Sequence, residues 1–171
     1  GTYEVYIGVY DEEAGSPAVT ITARPFEQKE LPEPQVDADA RYRSLSLTDA
    51  FEPQEFELRA GGDQRGDEMN LAPSCVGYIA ASTPDVKFDA TDISPPIIIS
   101  ATADNDDLTL VVRAPDGSWR CNDDAAGSNP RLEVNPVPNG TWGVWVGTYG
   151  PSGATAQFKI EQKKIEEETD E

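Results

Sequence analysis

Gly140-Thr141-Trp142-Gly143-Val144-Trp145-Val146-Gly147-Thr148-Tyr149 decides the reading of this chain. Its side chains alternate as those of an extended strand do: Trp142, Val144 and Val146 share one face, Gly143, Trp145 and Gly147 the other. The first set is expected to face a core. Trp145 and Tyr149 then fall beside the glycines, lying over small residues of a neighbouring strand or standing exposed. Asn139-Gly140 is a strong turn signal ahead of the stretch, and a turn at Gly153 and a β-rich run at 157–160 follow it. Together they predict a closing β-hairpin.

The same ten residues open the chain in altered form. Positions 1–10 match 140–149 by identity at five places, Gly1, Thr2, Val5, Gly8 and Tyr10, and by aromatic or aliphatic replacement at Tyr3, Tyr6 and Ile7. A repeat with a period of about 139 residues reads as a window onto a modular array. Residues 1–23 are then the closing hairpin of a preceding module, 42–162 one complete module and 163–171 a charged tail. Between them, 24–41 interleaves Pro25, Pro32 and Pro34 with Glu27, Glu30, Glu33, Asp37 and Asp39, the composition of an extended linker. An isolated two-stranded hairpin is marginal in water. The face carrying Tyr3, Val5, Ile7 and Val9 is therefore expected to be covered by a neighbouring module or by another copy of the chain.

Within 42–162 the strand signals are short and frequent. Leu45 and Leu47 alternate with serines, and Phe56 and Leu58 alternate with charges before the Gly61-Gly62 turn. Further runs stand at 75–79, 86–88, 97–100, 108–113 and 132–134, with Pro95 and Pro96 confined to a strand entrance. No stretch carries a sustained helical period except the tail, 162–171, which is mostly Lys and Glu and is expected to fray. This predicts an all-β fold, an antiparallel β-sandwich with an extra N-terminal β-hairpin.

Composition narrows the function. With 171 residues there is room for one core of ordinary size. Acidic residues number 32 against 13 basic ones, there is no histidine, and the net charge is −19. Such a chain repels nucleic acid and anionic membranes, whose recognition depends on Lys and Arg, and attracts cations. Without histidine, Ser-His-Asp and Cys-His catalysis are impossible within it, and a zinc site lacks its commonest ligand. Cys75 and Cys121 are too far apart for a CxxC motif. One disulfide is the expected pairing, two buried thiols the alternative. A persistent disulfide implies periplasm, cell surface or medium. No run is long and apolar enough to be a transmembrane segment, and any export signal is expected upstream of Gly1.

The order of motifs from 108 to 149 carries a resemblance. Leu108-Thr109-Leu110-Val111-Val112, Pro115-Asp116-Gly117-Ser118-Trp119, Cys121-Asn122-Asp123-Asp124, Asn129-Pro130 and the decad at 140–149 resemble the bacterial pre-peptidase C-terminal (PPC) domain. They are most similar to its secreted variant that pairs two cysteines, here Cys75 and Cys121. Ala60-Gly61-Gly62, 75–79 and Pro84-Asp85-Val86 fit the same order, so the likeness spans about Tyr42 to Gln162. The resemblance implies a jelly-roll-like sandwich that accompanies secreted enzymes and surface proteins without being a hydrolase. Some relatives bind calcium.

Two constellations are candidates for binding. Asp104-Asn105-Asp106-Asp107 precedes one strand and Asn122-Asp123-Asp124 follows Cys121. If 108–113 and 119–121 pair around Asp116-Gly117, both acidic runs emerge at one end of the sheet. Ca2+ takes about six to eight oxygens from carboxylates, carbonyls and water. Asp106, Asp107, Asp123 and Asp124 are the expected ligands, with Asp104 and Asn122 next. The competing reading is of solvated turns whose Asp and Asn bond their own backbone. The second constellation is aromatic: Trp119, Trp145 and Tyr149 as a stacking platform for sugars, against ordinary packing. Paired carboxylates at glycosidase spacing need a cleft that nothing in the sequence marks, and Ser74 and Ser118 have no histidine partner. The chain is thus expected to be no enzyme. It reads as a secreted binding or assembly module, Ca2+-assisted, whose partners are neighbouring modules, copies of itself, another protein or a glycan. The alternatives are a fibre subunit built by strand exchange, and a carbohydrate-binding module.

Overall fold

A computed structural model describes residues 33–164, so the 1–23 hairpin, with Tyr3, Val5, Ile7 and Val9, lies outside the described residues. Strands form where apolar residues recur at every second position. In chain order they are β1 (Arg43–Thr48), β2 (Gln54–Ala60), β3 (Gln64–Arg65), β4 (Tyr78–Ile79), β5 (Val86–Thr91), β6 (Ile97–Thr102), β7 (Leu108–Arg113), β8 (Trp119–Asn122), β9 (Arg131–Val134), β10 (Gly140–Thr148) and β11 (Ala154–Gln162). Two sheets face each other. One has seven strands and the other four, in the order β2-β11-β6-β9. In the larger sheet β10 is central: it pairs with β7 on one side, and on the other with β5 over 140–144 and with β4 at Thr148. The one parallel pair, β1 with β5, joins ladders that are otherwise antiparallel.

The core lies between the sheets and follows the alternation of the central decad. Trp142, Val144 and Val146 point inward with Val86, Phe88, Leu110 and Val112, and meet Leu58, Ile97, Ile99, Ala156, Phe158 and Ile160 from the smaller sheet. Phe88 and Trp142 stack with ring centroids 5.6 Å apart. Burying a side chain of this size contributes roughly 1.5–3 kcal/mol.

Two expectations are corrected here. The stretches 140–149 and 154–162 do not form a hairpin: β10 belongs to the larger sheet and β11 to the smaller, where it pairs with β2 and β6. The turn around Gly153 is a corner that carries the chain from one sheet to the other. Alternation alone reports which side chains share a face, and it is silent on which strand lies alongside. Trp145, expected on an outer face and offered as an interaction surface, does lie on that face but is fully buried. It belongs to a second cluster with Met69, Ile79, Ala81 and Val111, against which Val36, Leu71, Trp119 and Cys121 pack. The cover comes from the long segment between β3 and β4 and from the chain ahead of β1. Gly143 makes the close approach feasible, since a Cβ there would stand 2.8 Å from Val36 Cγ2 and 2.9 Å from the Trp145 ring.

Residues 33–41, whose composition reads as the end of a linker, lie along the sheet. Gln35 N–H donates to Ala81 O (2.9 Å), Arg41 N–H to Pro84 O (2.8 Å) and Tyr42 N–H to Asp85 O (3.0 Å). The β3–β4 segment is fastened differently, by a disulfide between Cys75, ahead of β4, and Cys121 in β8, 46 residues apart. That staple holds the cover over Trp145. Replacing both cysteines by serine is expected to lower stability by about 4 kcal/mol on the chain-entropy account of a loop of this length. Urea unfolding measures the loss, and a red shift of tryptophan emission in the folded variant reports the opening of the cover above Trp145.

Candidate functional site

The β7–β8 hairpin pairs Leu110 with Asn122 and Arg113 with Trp119. Its turn closes because Gly117 takes a positive φ of 85°, and Ser118 N–H and Oγ–H both donate to Asp116 Oδ1 (2.9 and 2.6 Å). Those two bonds hold the Asp116 carboxyl below the usual carboxylate range. Pairing in this register sends 104–107 and 122–124 out at the same end of the sheet, as the sequence predicts.

At that end Asp107 stands within reach of the charges of Asp123 and Asp124. The Asp107 carboxyl is pushed up, first by partial loss of solvent and then by the charges of Asp124 and Asp123. The loops are tied by main-chain bonds. Asp107 O accepts from Tyr149 N–H (2.8 Å), and Leu108 N–H donates to Ser128 O (3.0 Å). Asn129 Oδ1 accepts from Ala103 N–H (2.9 Å), and Asn122 Oδ1 accepts from Arg131 N–H (2.8 Å). The side-chain oxygen of Asn122 is therefore engaged in joining β8 to β9. Asp104 and Asp106 are exposed in the β6–β7 loop. Among the described residues no three Asp, Glu or Cys side chains stand close enough to hold a metal ion as they are. Tyr149, at the corner beside Asp107, is 59% exposed, whereas Trp119 is half-buried against Trp145 at 5.6 Å. Tyr149 is thus the aromatic candidate that stays open to a partner.

One residue entered the sequence analysis only as part of the Pro84-Asp85-Val86 motif, with no role assigned to it. Asp85 stands just ahead of β5 and is fully buried. Its Oδ2 accepts from Val146 N–H (2.8 Å), and its Oδ1 lies 2.9 Å from Arg41 Nη1. The main chain of Asp85 is also bound on both sides, its N–H to Val144 O (2.8 Å) and its carbonyl by Tyr42 N–H. Burial pushes the carboxyl up to about 7, against the lowering pull of the Val146 bond and of the Arg41 charge. An Asp before an apolar strand normally caps a turn at the surface, so its spelling carries no sign of burial.

No protein-family model matches the chain, and no curated protein does. Among solved structures it is similar to the pre-peptidase C-terminal domain of collagenase from Bacillus anthracis, at 12% identity and a TM-score of 0.44. That match covers 72% of this chain and 100% of the other.

A folded-state value of about 7 against 3.8 unfolded means that, between those values, the folded chain holds a proton that the unfolded chain has released. The contribution of Asp85 to stability is therefore fully present below about pH 4 and is lost as pH rises through about 7, at a cost on the order of 4 kcal/mol. Urea midpoints from pH 4 to pH 8 for the native chain and for Asp85→Asn should diverge across this window, the variant lacking that slope. Parallel curves would show that Asp85 is not the group responsible.

Proposed function

We propose that this chain is a non-catalytic, extracytoplasmic binding module whose acidic end takes up Ca2+ and, so loaded, presents Tyr149 and the surrounding loops to a protein partner. The observation that supports the reading is that the Asp107 carboxyl is raised partly by the charges of Asp124 and Asp123 at one sheet end. Carboxylates that raise one another are relieved by a cation. Ca2+ suits the place because it accepts main-chain carbonyls and water beside carboxylates at flexible geometry, and the loops carry both carboxylates and main-chain carbonyls. Asp104 and Asp106 complete the set on the β6–β7 loop. Two further observations support the setting: the Cys75–Cys121 disulfide fits an oxidising compartment, and no helix among the described residues is long and apolar enough to cross a membrane. The order of motifs from 108 to 149, which resembles PPC domains, supports an accessory role beside an enzyme or surface protein.

A second reading has an observation of its own. In the described copy of the repeat, β10 and β11 are inner strands of opposite sheets, each with neighbours on both sides. A sequence with the pattern of 1–22 is suited to the same double insertion, which favours assembly with a further module or a second copy of the chain.

Thermal unfolding of the EDTA-treated protein, with and without millimolar Ca2+ at constant ionic strength, separates the two. A ligand at 100 times its Kd adds about 2.7 kcal/mol, on the order of 5–10 °C for a chain of this size. The shift is expected with Ca2+ and not Mg2+, and Asp107→Asn with Asp123→Asn should remove it. An unchanged melting temperature, together with a sedimentation coefficient that rises with protein concentration, would reject the calcium reading and favour assembly.

A further inference from the structure

We propose that Asp85 is a proton-controlled latch for the chain ahead of β1: charged, it holds Arg41 and the connector against β10, and protonated, it lets them go while the sandwich stays folded. The argument rests on what each partner of the carboxyl group needs. Val146 N–H donates to Oδ2 at 2.8 Å, and an uncharged carboxyl still offers an oxygen to that donor. Arg41 Nη1 stands 2.9 Å from Oδ1 and is held by charge, which protonation removes. One group therefore has a partner it keeps in both states and a partner it keeps in only one.

The two partners belong to different parts of the molecule. Val146 sits in the central strand of the larger sheet, whereas Arg41 belongs to residues 33–42, which lie on that sheet through a few main-chain bonds and Val36. The Arg41 side chain is one-third exposed while that of Asp85 is fully enclosed, so Arg41 has solvent to retreat to. Its guanidinium also lies 5.3 Å from the centre of the Tyr42 ring, a contact it retains on leaving.

Linkage sets the direction. Arg41 lowers the proton affinity of Asp85, so the loss of the proton must tighten Arg41 by the same factor. The charged groups around Asp85 are few. Arg41 comes from the connector; β5 contributes Lys87, whose Nζ turns to Ala38 O at 3.4 Å; and β10 brings Val144, Trp145 and Val146, none of them ionisable. The connector thus has a pH-dependent attachment at Arg41 beside pH-independent ones at Gln35 and Val36. The connector, residues 33–42, is held close to the sandwich at alkaline pH and more loosely on acidification through neutrality.

The test uses the full chain labelled with 13C and 15N. The Asp85 13Cγ resonance is followed from pH 5 to pH 9 in the native protein and in Arg41→Gln, with amide exchange at Tyr42 and Val146 corrected for the intrinsic rate. The expected result is a midpoint near neutrality that moves up in Arg41→Gln. Protection at Tyr42 should fall by at least about tenfold on acidification, the factor that one unit of coupling carries, while Val146 stays protected. Asp85→Asn should hold Tyr42 in its weakly protected state at every pH; should that variant not fold, the Arg41→Gln titration decides alone. An Asp85 midpoint indifferent to Arg41→Gln overturns the proposal. So does joint loss of protection at Tyr42 and Val146, which would mean that the whole sheet loosens, or a Tyr42 amide equally protected at both extremes.

Discussion

The larger sheet depends on how one peptide unit of β10 is satisfied. On one side of β10, β5 covers 140–144 and β4 joins at Thr148, leaving a gap opposite Val146. A central strand cannot leave a buried N–H and C=O unpaired without a penalty of about 1–3 kcal/mol each. Both groups find partners from outside the ladder. Asp85 sends its carboxylate to the N–H, and Gly61 sends its N–H to the carbonyl at 2.9 Å. These two contacts allow β5 and β4 to diverge from a common neighbour. They also locate the Gly61 corner, where a positive φ of 96° brings the chain within 3.1 Å of Gly153 Cα for any added Cβ. The corners after β2 and after β10 therefore lie together, and the sheets are joined through them.

The outer face of the same sheet explains why so acidic a chain buries so much. Gly143 and Gly147 leave the face of β10 shallow, and Trp145 fills the space between them. The β3–β4 segment then lies over Trp145 with Met69 and Ile79. That segment is bounded by two-residue strands, β3 and β4, and holds one short 3-10 turn at Gly66–Glu68, so its order depends on the disulfide and on the apolar contacts beneath it. A second, thin core thus sits outside the first, and the connector ahead of β1 closes its rim at Val36.

Much of this was legible in the sequence, and the boundary of legibility has a physical cause. Trp142, Val144 and Val146 declared the core because alternation reports the faces of a strand. The β7–β8 hairpin was legible because Asp116-Gly117-Ser118 spells a local turn, and the acidic runs followed from its register. Local chemistry could not decide whether β10 and β11 pair, since a tight turn and a corner between sheets share the same Gly-containing spelling. Trp145 followed the same logic: its face was readable, but its cover comes from residues some 65–110 positions earlier in the chain. Asp85 was opaque for a further reason. Its value lies in the gap beside Val146, and a gap between two strands is a property of topology that no neighbouring residue encodes.

The acidic end and the buried carboxylate share β10. Val146 binds the buried carboxylate, and two residues beyond it Thr148 leads into Tyr149, whose N–H anchors Asp107 at the acidic end. In a protein of net charge −19 the ligands that matter energetically are cations, and the proton is one of them. A proton at Asp85 relieves a carboxylate that the fold has moved away from water, whereas on the calcium reading a cation would relieve the mutual repulsion of carboxylates that remain at the surface. Their structural consequences differ, because the acidic loops are joined only to the sandwich whereas Asp85 also holds the connector. On the calcium reading, metal uptake would stiffen the end of the sheet without altering the connector. Proton uptake would strengthen the sheet and weaken its hold on the connector. A single strand can in this way serve a constant anchor at one end and a variable one along its side, because the two draw on different peptide groups.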